Sequence, residues 1–521
     1  MDKRALKLIE KFPQVKSINE LIRVVDEKYK DKPAIKFNGE DGVVSKSYTR
    51  LRKDVEAFGT YLHSIGLKDV HVGLIGENSY EWIVTYFAVV CSGNVIVPID
   101  KELKSHDICE LLDRSDSSAF VYSEKYQEAA DMAENKTCLC LKDFADYIKQ
   151  GNELLDAGKS SFLNDEVDIE KLCTIIYTSG TTGKPKGVML CQKGLAADAV
   201  TACDFADLIG GNLTALPLHH SFAFTACVLS AMVQGVPIFL NSSLKELFKD
   251  LNTAAPHHFL AVPMMLDAIY KKINKAIDKQ GKRGLINFVI KLNKFLMKIG
   301  IDIRHILFKQ IRDSFGGNIR LFVTGGAPAN VTVMQGLEDL GFIVLNGYGI
   351  SECSPIVSVN ATYDSRIGSV GRVLRCCEVK IIDDEICVRG DSVMLGYYKD
   401  EAATAASFNG KWFRTGDLGY FDKDGYLYIN GRKKNLIILS NGKNVSPEEL
   451  ELLIEEIENV IEVIVYGEDN LIAAEIYAED KSGIEEGIEK INEKLPSYKR
   501  INRVKFRDTE FEKTTTKKIK R

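Results

Sequence analysis

The sequence predicts an α/β protein with a large N-terminal domain and a small, mobile α+β lid domain at its C-terminal end. Over most of the chain, short apolar runs alternate with segments of helical periodicity, which is typical of parallel sheets flanked by helices. Near residues 366–430 the pattern changes to closely spaced hairpins, which predicts a small antiparallel β subdomain. The 521 residues also exceed the length that one hydrophobic core usually serves, so at least two domains are expected.

The composition narrows the class of protein. A hydrophobic content of 45% is typical of globular proteins, and a net charge of -5 argues against a general nucleic-acid binder. The 12 cysteines are scattered through apolar runs, which predicts buried reduced thiols rather than a metal site. No window has the length and apolarity of a transmembrane helix, so a cytoplasmic location is expected.

The first part of the chain reads as an amphipathic helical start followed by alternating strands and helices. Residues 1–34 have apolar positions at helical spacing. Strands are predicted at residues 72–76, 95–98 and 119–122, with a helix from about Ser79 to Cys91 between the first two. This order predicts the first parallel sheet.

A segment rich in glycine, hydroxyl and lysine side chains follows the apolar run at residues 173–176. It runs from Tyr177 to Gly187, and its glycines allow backbone N–H groups to converge on phosphate oxygens. The best ligand is a nucleotide triphosphate, although Pro185 after Lys184 and the absent Gly-x-x-x-x-Gly-Lys-Ser/Thr spacing exclude the common P-loop. The alternative is a flexible surface loop with ordinary turn residues.

A histidine pair ends the apolar run at residues 215–218. His219 and His220 are followed by small and aromatic residues, which suits a pocket wall beside reacting groups. The pattern is equally compatible with histidines that are satisfied within the fold.

Residues 282–312 form a basic insertion in an acidic protein. They contain eight lysines and arginines against the single acid Asp302, and apolar residues recur among them at helical spacing. Such a helix either lies on an anionic bilayer or packs its apolar stripe on the protein while its lysines are solvated.

A strand–helix–strand unit at residues 321–345 ends each strand in a glycine-containing turn. Ligands of parallel sheets bind at the carboxyl ends of the strands, so both turns and the Tyr177–Gly187 segment are expected at one crevice. In the second turn Tyr348 suits stacking on a base, Ser351 suits a phosphate and Glu352 suits Mg²⁺. Taken alone, this turn is also compatible with ordinary loop chemistry.

The hairpin region leads to the predicted domain boundary. Asp417 lies on a glycine turn, where its carboxylate suits the two hydroxyls of a ribose or simply completes the turn. The charged stretch around residue 433 separates the predicted domains, residues 1–433 and 434–521. In the second of these, Ser446 and Glu449 form the pattern of a capping box.

These motifs together resemble the adenylate-forming superfamily, which includes acyl-CoA synthetases, peptide-synthetase adenylation domains and luciferases. The resemblance covers the chain from about residue 35 onward, and the segment Tyr177–Gly187 is its most specific part. Four motifs in the family's order support it: residues 217–220, 347–352, 414–417 and 431–434.

The resemblance implies a role for each matching residue. The phosphate loop would comprise Thr178, Ser179, Gly180, Thr181, Thr182, Gly183 and Lys186, with Ser351 at the α-phosphate. The other nucleotide contacts would be the adenine pocket of Gly326, Ala327, Tyr348 and Gly349, the ribose ligand Asp417, and Arg432. The remaining implied roles are magnesium at Glu352, the acyl carboxylate at His220, the hinge at Lys434 and the CoA tunnel at Gly442.

The end of the chain resembles the family's Lys-Thr-x-x-Gly-Lys-Ile-x-Arg motif, which makes Lys518 the catalytic lysine. Lys517 replaces the usual glycine, so either the loop conformation differs or Lys517 competes for the role.

By resemblance the chain is an ATP-dependent, magnesium-requiring ligase that forms an acyl-adenylate and transfers the acyl group to CoA. The residues at positions 217–224, 261–263 and 356–360, together with the basic insertion, resemble those of enzymes that act on long-chain fatty acids, so fatty acids of long or medium chain length are favoured. Peripheral contact with an anionic membrane at its inner face is the accompanying prediction, with no nucleic-acid partner. Two alternatives stay open: an enzyme that loads a carrier protein's phosphopantetheine, and a nucleotide- and acyl-binding sensor without turnover.

Overall fold

The computed structural model describes residues 3–159, 162–164, 166–178, 185–241, 243–440, 443–513 and 519. It has the mixed α/β architecture that the sequence predicts, with helix-flanked parallel sheets and separate antiparallel sheets. The α-helices of the described residues are α1 Lys3–Lys11, α2 Ile18–Tyr29, α3 Tyr48–Ser64, α4 Tyr80–Cys91, α5 Ser105–Arg114, α6 Gln127–Met132, α7 Phe144–Asp156, α8 Gln192–Ala202, α9 Ser230–Gln234, α10 Leu247–Ala254, α11 Pro263–Lys279, α12 Arg283–Met297, α13 Arg304–Leu307, α14 Lys309–Asp313, α15 Val331–Asp339, α16 Glu401–Ser407, α17 Pro447–Ile454 and α18 Ile484–Lys494.

The strands of the same residues form five sheets. They are β1 Pro33–Gly39, β2 Gly42–Ser47, β3 His71–Ile75, β4 Val95–Pro98, β5 Ser117–Tyr122, β6 Thr137–Cys140, β7 Leu172–Thr178, β8 Lys186–Cys191, β9 Asn212–Thr214, β10 Ile238–Leu240, β11 His258–Ala261, β12 Leu321–Thr324, β13 Ile343–Gly349, β14 Ile356–Val359, β15 Arg372–Val373, β16 Cys377–Ile382, β17 Glu385–Gly390, β18 Gly396–Tyr397, β19 Phe408–Asn409, β20 Trp412–Phe421, β21 Leu427–Arg432, β22 Ile437–Ile438, β23 Asn444–Val445, β24 Glu462–Glu468, β25 Leu471–Tyr477 and β26 Ile501–Arg507.

Two large sheets carry the first part of the chain. The seven-stranded sheet has the order β18-β8-β7-β4-β3-β5-β6, with parallel pairing from β7 through β6. The nine-stranded sheet has the order β15-β14-β13-β12-β11-β9-β10-β1-β2 and is parallel from β13 through β1. Because parallel strands end at one edge of a sheet, the turns after β9, β11, β12 and β13 face the same side.

The predicted helices between these strands cover the sheets. Helix α4 begins one residue after Ser79, whose side chain accepts the N–H of Trp82 and so caps it. Its residues are almost all buried, because it packs between the sheets in the largest hydrophobic core. This burial explains why its sequence is apolar on every side.

The predicted antiparallel subdomain is a five-stranded sheet built from β16, β17, β19, β20 and β21. Asp383 and Asp384, with φ of 51° and 62°, form the tight turn between β16 and β17. Aspartate tolerates this left-handed conformation better than most residues, which agrees with the predicted hairpin.

The last part of the chain has a core of its own. Strands β24, β25 and β26 form a three-stranded sheet, and the core cluster against it draws only on residues 437–506. The boundary at residue 434 stays a prediction, and this separate core is the feature that supports it.

The predicted capping box at the start of α17 is wrong. The helix begins at Pro447 as expected, but the Ser446 hydroxyl donates to Glu448 Oε2 at 2.8 Å and accepts no helix N–H. The hydroxyl is oriented toward the neighbouring Glu448 instead, because an ionised carboxylate is a strong acceptor.

Candidate active site

A cleft of about 3250 Å³ lies at the carboxyl ends of the parallel strands and extends to the C-terminal part of the chain. It brings together the described residues that the sequence predicts for the site: Thr178, Lys186, His220, Gly326, Ala327, Tyr348, Gly349, Ser351, Glu352, Asp417, Arg432 and Lys434. The other predicted residues lie outside the described residues: Ser179, Gly180, Thr181, Thr182, Gly183, Gly442 and Lys518.

The ends of the phosphate-loop segment are held by a strand pair. Thr178, the last residue of β7, pairs directly with Lys186, the first residue of β8. Both residues line the cleft, so the two described ends of the segment lie at its wall. The Lys186 ammonium lies 4.9 Å from the ring centre of Tyr397, a cation–π contact.

Tyr397 links this strand pair to Glu352. Its hydroxyl donates to Glu352 Oε1 at 2.9 Å, and its backbone is fixed because β18 pairs with β8 at Val188. Burial, followed by the charge of Glu352, raises the pKa of Tyr397 well above its usual range, so the phenol keeps the proton that it donates. Lys186, Tyr397 and Glu352 therefore form a connected row along the cleft wall.

Asp417 accepts from two residues that the sequence predicts for nucleotide binding. Tyr348 Oη donates to Oδ2 at 2.7 Å, and Arg432 Nε lies 2.7 Å from Oδ1. Asp417 and Arg432 are paired positions of β20 and β21, and Asp417 is only 4% exposed. Each carboxylate oxygen has further lone pairs, so the group can still accept hydrogen bonds from a ligand.

Glycine is required at two positions of the predicted adenine pocket for different reasons. Gly326 has a φ of +81° and open space where a Cβ would lie, so its conformation selects glycine. At Gly349 a Cβ would lie 2.1 Å from the Pro355 carbonyl oxygen, so crowding selects glycine. The backbone at both positions, the turn after β12 and the end of β13, thereby carries no side chain at the cleft.

The two histidines have different surroundings. His219 is 6% exposed, and its ring lies 4.2 Å from that of His220. Burial, then the charge of His220, lowers the pKa of His219 well below its usual range, so it is neutral and packs as part of the fold. His220 lines the cleft, and the next hydroxyl, Ser221 Oγ, lies 3.1 Å from Ser351 Oγ. The sequence left a functional and a structural role open for these histidines. His219 fits the structural role, and His220 is the candidate for the functional one.

The predicted hinge lies between two anchored neighbours. Lys433 contacts Glu385 of β17, with Nζ 3.1 Å from Oε2, and Arg414 lies 2.7 Å from the same oxygen. Burial raises the pKa of Glu385, but hydrogen bonds from Arg414 and Lys433 outweigh it and keep the group ionised. On the other side, Asn435 donates to Glu448 of α17 at 2.5 Å. Lys434 thus connects a residue held by the five-stranded sheet to one held by the C-terminal part.

The described residues on either side of Lys518 also line the cleft. Lys513 and Ile519 pair as an isolated β-bridge, and both belong to the cleft wall. Lys513 is ion-paired with Glu462 and, at 2.7 Å, with Glu510, which fixes the start of the terminal segment.

Part of the cleft lining is apolar. It is formed by small and apolar side chains: Ala202, Phe205, Ala206, Leu208, Phe222, Ala223, Ala226, Ser230, Ile356 and Val359. Gln234 also lines it, but its Nε2 donates to the Ala206 carbonyl at 3.1 Å and its Oε1 accepts the Leu208 N–H at 2.7 Å. We call this part of the cleft the apolar corridor.

Sequence reasoning missed Tyr397 and the corridor residues. Tyr397 lies far from Glu352 along the chain and reaches it only through the pairing of β18 with β8. The alanines of the corridor look like ordinary helix residues in sequence.

Comparison with known proteins identifies the family of the chain. The family model described as AMP-binding enzyme matches residues 22–398. Long-chain-fatty-acid–CoA ligase 1 of Cavia porcellus is 29% identical over 474 residues, which cover 81% of this chain and 67% of the relative. Long-chain-fatty-acid–CoA ligase FadD15 of Mycobacterium bovis is 31% identical over 416 residues, which cover 73% of this chain and 68% of the relative.

Solved structures share the fold at lower identity. The anthranilate CoA ligase AuaEII in complex with anthranoyl-AMP has a TM-score of 0.79 at 19% identity, covering 98% of this chain and 97% of that one. O-succinylbenzoate coenzyme A synthetase from Bacillus subtilis, in complex with ATP and magnesium ion, has a TM-score of 0.74 at 22% identity, covering 96% and 98%. The Mycobacterium tuberculosis fatty acyl CoA synthetase has a TM-score of 0.66 at 23% identity, covering 97% and 96%.

The fold is that of adenylate-forming enzymes, as the sequence motifs predict. The chain belongs to the AMP-binding enzyme family and is an AMP-forming acid–thiol ligase. Among the described residues, no helix combines the length and apolarity needed to cross a bilayer.

Proposed function

We propose that the chain activates a fatty acid of medium or long chain length to its acyl-adenylate and then transfers the acyl group to CoA. The apolar corridor is the observation that carries this proposal. Its small side chains leave room, and the amide of Gln234 is occupied by backbone groups, so an alkyl chain meets apolar surface along the corridor. The printed names of the long-chain relatives support the same substrate class.

The length of the corridor favours more than a short acid. Ala223, Ala226, Ser230 and Gln234 lie along the π-helical segment Ala223–Leu229 and helix α9, which follows it directly. From Ala223 to Gln234 the axis advances by at most about 16 Å, since the α-helical rise is about 1.5 Å per residue and the π-helical part is more compact. An acetate-sized acid would leave most of this apolar surface without a partner.

The nucleotide is proposed to lie across the turns of the nine-stranded sheet. Asp417, oriented by Tyr348 and Arg432, would accept the ribose hydroxyls. Tyr348 lies beside the bare backbone of the Gly326 turn, which suits a flat base between them. Lys186 and Ser351 would then contact phosphate oxygens from two sides of the cleft.

Glu352 is the described residue whose chemistry fits magnesium. It is a carboxylate on the cleft wall, and the bond from Tyr397 to Oε1 orients it while leaving lone pairs for a hard cation. When bound there, Mg²⁺ supplies positive charge that offsets the phosphates. Tyr397 would act as a positioning residue for Glu352, since its pKa keeps it a donor.

The chemistry needs charge neutralisation rather than a protein nucleophile. The substrate carboxylate attacks the α-phosphorus of ATP, the bond to pyrophosphate breaks, and the acyl-adenylate forms. The CoA thiol then attacks the acyl carbonyl after losing its proton, and AMP leaves. We propose Lys518 as the residue that stabilises the first transition state, and Lys434 as the hinge that exchanges the C-terminal surface between the two steps.

The test is a scan of carboxylic acids by pyrophosphate release, from acetate through palmitate to benzoate, with and without CoA. Ala226→Trp fills the corridor and should lower kcat/KM for palmitate by about tenfold or more while sparing short acids. Equal loss for every acid would indicate misfolding, which circular dichroism and Tm would detect. Benzoate preferred over every aliphatic acid would contradict the proposal, and acid-dependent pyrophosphate release without acyl-CoA formation would favour a carrier protein as acceptor.

A further inference from the structure

Helix α12 presents an apolar stripe to solvent. Leu285, Phe288, Leu292, Phe295 and Ile299 are 60%, 63%, 40%, 64% and 62% exposed. The first four lie in α12 at spacings of three and four residues, which places them on one side of the helix, and Ile299 lies two residues after its end. We call these five residues the outer stripe of α12.

The stripe is not what holds α12 to the protein. Another set of residues, Ile286, Val289 and Ile290, packs against the core cluster under the nine-stranded sheet, and Asn293 is buried. Asn293 also accepts the Ile303 N–H at 3.1 Å, which fixes the chain after the helix. The helix is thus anchored by one side while the outer stripe stays exposed.

Exposed apolar residues continue beyond the helix. Ile301, Ile306 and Leu307 are 46%, 64% and 41% exposed. A run of large apolar side chains on one short segment differs from the single exposed residues that are normal on surfaces. Such a surface indicates a binding face.

The charged residues around the outer stripe indicate which kind of partner it binds. Lys294 is paired with Asp339 at 2.7 Å, and Arg283 with Asp278 at 2.6 Å. Lys282, Lys291 and Lys298 have no ion-pair partner within the part of the chain that the structure describes. Positive charge therefore borders the stripe in a protein whose net charge is -5.

We infer that the outer stripe of α12 rests on an anionic lipid surface. Aromatic and aliphatic side chains enter the boundary between headgroups and acyl chains, while the lysines at the rim contact the negative headgroups. A second copy of the chain fits less well, because a symmetric contact would place the lysines of both copies at one interface, where like charges repel.

The outer stripe of α12 is linked to the cleft through helix α11. Helix α11 begins at Pro263 on the cleft wall and leads directly into α12, and Arg283 of α12 bonds Asn274 Oδ1 and Asp278 of α11. Asn274 and Asp278 also line the cleft. A chain docked by α12 would hold the cleft next to the lipid surface.

The experiment is co-sedimentation of the full chain with vesicles, either phosphatidylcholine alone or phosphatidylcholine mixed with phosphatidylglycerol. The wild type should bind the anionic vesicles, less so at high salt. The exposed-site variant Phe288→Ser/Phe295→Ser should bind at least about tenfold more weakly at unchanged Tm. Lys291→Glu/Lys298→Glu should lose the anionic preference, while Lys149→Glu/Lys159→Glu, with the same change of charge on other exposed lysines, should lose much less.

Three results would overturn the inference. The first is no binding of the wild type to anionic vesicles, and the second is wild-type binding that the Phe288→Ser/Phe295→Ser variant retains. The third is a concentration-dependent dimer in sedimentation velocity that the same variant abolishes, since the stripe would then bind a second copy.

Discussion

The hydroxyl of Tyr397 donates a hydrogen bond of 2.9 Å to Oε1 of Glu352, and the ring of the same tyrosine faces the ammonium of Lys186. One side chain thus connects the strand that leaves the phosphate-loop segment with the carboxylate proposed for magnesium. The contact depends on β18 pairing with β8, so it belongs to the fold of the large N-terminal part.

Tyr397→Phe tests this relationship. Loss of a hydrogen bond to a charged acceptor should lower kcat/KM for acid-dependent pyrophosphate release by about tenfold and raise the magnesium concentration needed for half-maximal rate. Tyr398→Phe is the matched control, because that hydroxyl bonds Asp116 instead. An unchanged magnesium requirement in Tyr397→Phe would contradict the positioning role.

Asp417→Asn tests the proposed ribose contact. The amide keeps the shape of the carboxylate but loses its charge and one acceptor, so KM for ATP should rise by about tenfold or more. With 2′,3′-dideoxy-ATP the wild type should already be impaired and the substitution should add little, because both partner hydroxyls are absent. Equal losses with both nucleotides would place Asp417 outside ribose recognition.

Lys434→Pro tests the hinge. Proline fixes φ and removes an N–H, so rotation about this position should be hindered while the cleft walls stay in place. Acyl-adenylate formation should persist and transfer to CoA should fall strongly. Lys434→Ala separates the side chain from the backbone and should spare both steps; a proline variant active in both would argue against rotation here.

Lys518→Ala tests the proposed catalytic lysine against Lys517→Ala. The first should abolish adenylate formation and leave CoA attack on added acyl-adenylate nearly intact, because that step does not need the same charge. Lys517→Ala should have the smaller effect. The reverse order would assign the role to Lys517, and equal loss of both half-reactions in Lys518→Ala would reject a role confined to the first step.

The pH dependence of stability should reflect a buried neutral histidine. Burial, then the charge of His257, lowers the pKa of His258 to about 3, and His258 is 1% exposed. Unfolding lets this imidazole take up a proton below its ordinary pKa of about 6.5, so the free energy of unfolding falls as pH drops below that value, by about 1.4 kcal/mol per pH unit. Above about pH 6.5 the imidazole is neutral in both the folded and the unfolded state, so it causes no loss of stability there.

His258→Gln should therefore flatten the fall of Tm between pH 7.5 and pH 5.5, whatever its effect on Tm at pH 7.5. His106→Gln is the control, since that side chain is 82% exposed and its removal should leave the slope unchanged. An unaltered slope in His258→Gln would mean that the imidazole is protonated in the folded state.

Local patterns predict what local chemistry determines. The alternation of strands and helices, the Asp383–Asp384 hairpin and the glycine turn after β12 follow from periodicity and backbone conformation, and the sequence predicts them. The predicted glycine turn after residue 345 is wrong, because pairing with β14 extends β13 to Gly349. Contacts between residues that are far apart along the chain cannot be predicted from such local patterns. Tyr397 reaches Glu352 only through strand β18, and the Ser446 hydroxyl bonds Glu448 rather than capping α17.

The basic insertion shows the same limit. Its sequence left packing and lipid contact as alternatives, because helical periodicity says which residues share a side but not which side meets the core. The structure shows Ile286, Val289 and Ile290 toward the core and Phe288 and Phe295 toward solvent. The helix therefore packs on the protein through one set of apolar residues and exposes a second set to solvent.

The most direct measurement of the central claim follows the oxygen atoms of the acid. Palmitate labelled with ¹⁸O in its carboxylate is incubated with ATP, magnesium and CoA, and the products are analysed by mass spectrometry. Attack of the carboxylate on the α-phosphorus predicts AMP with one labelled oxygen and palmitoyl-CoA with the other. Unlabelled AMP, label in inorganic phosphate, or no palmitoyl-CoA would contradict an acyl-adenylate formed from a fatty acid.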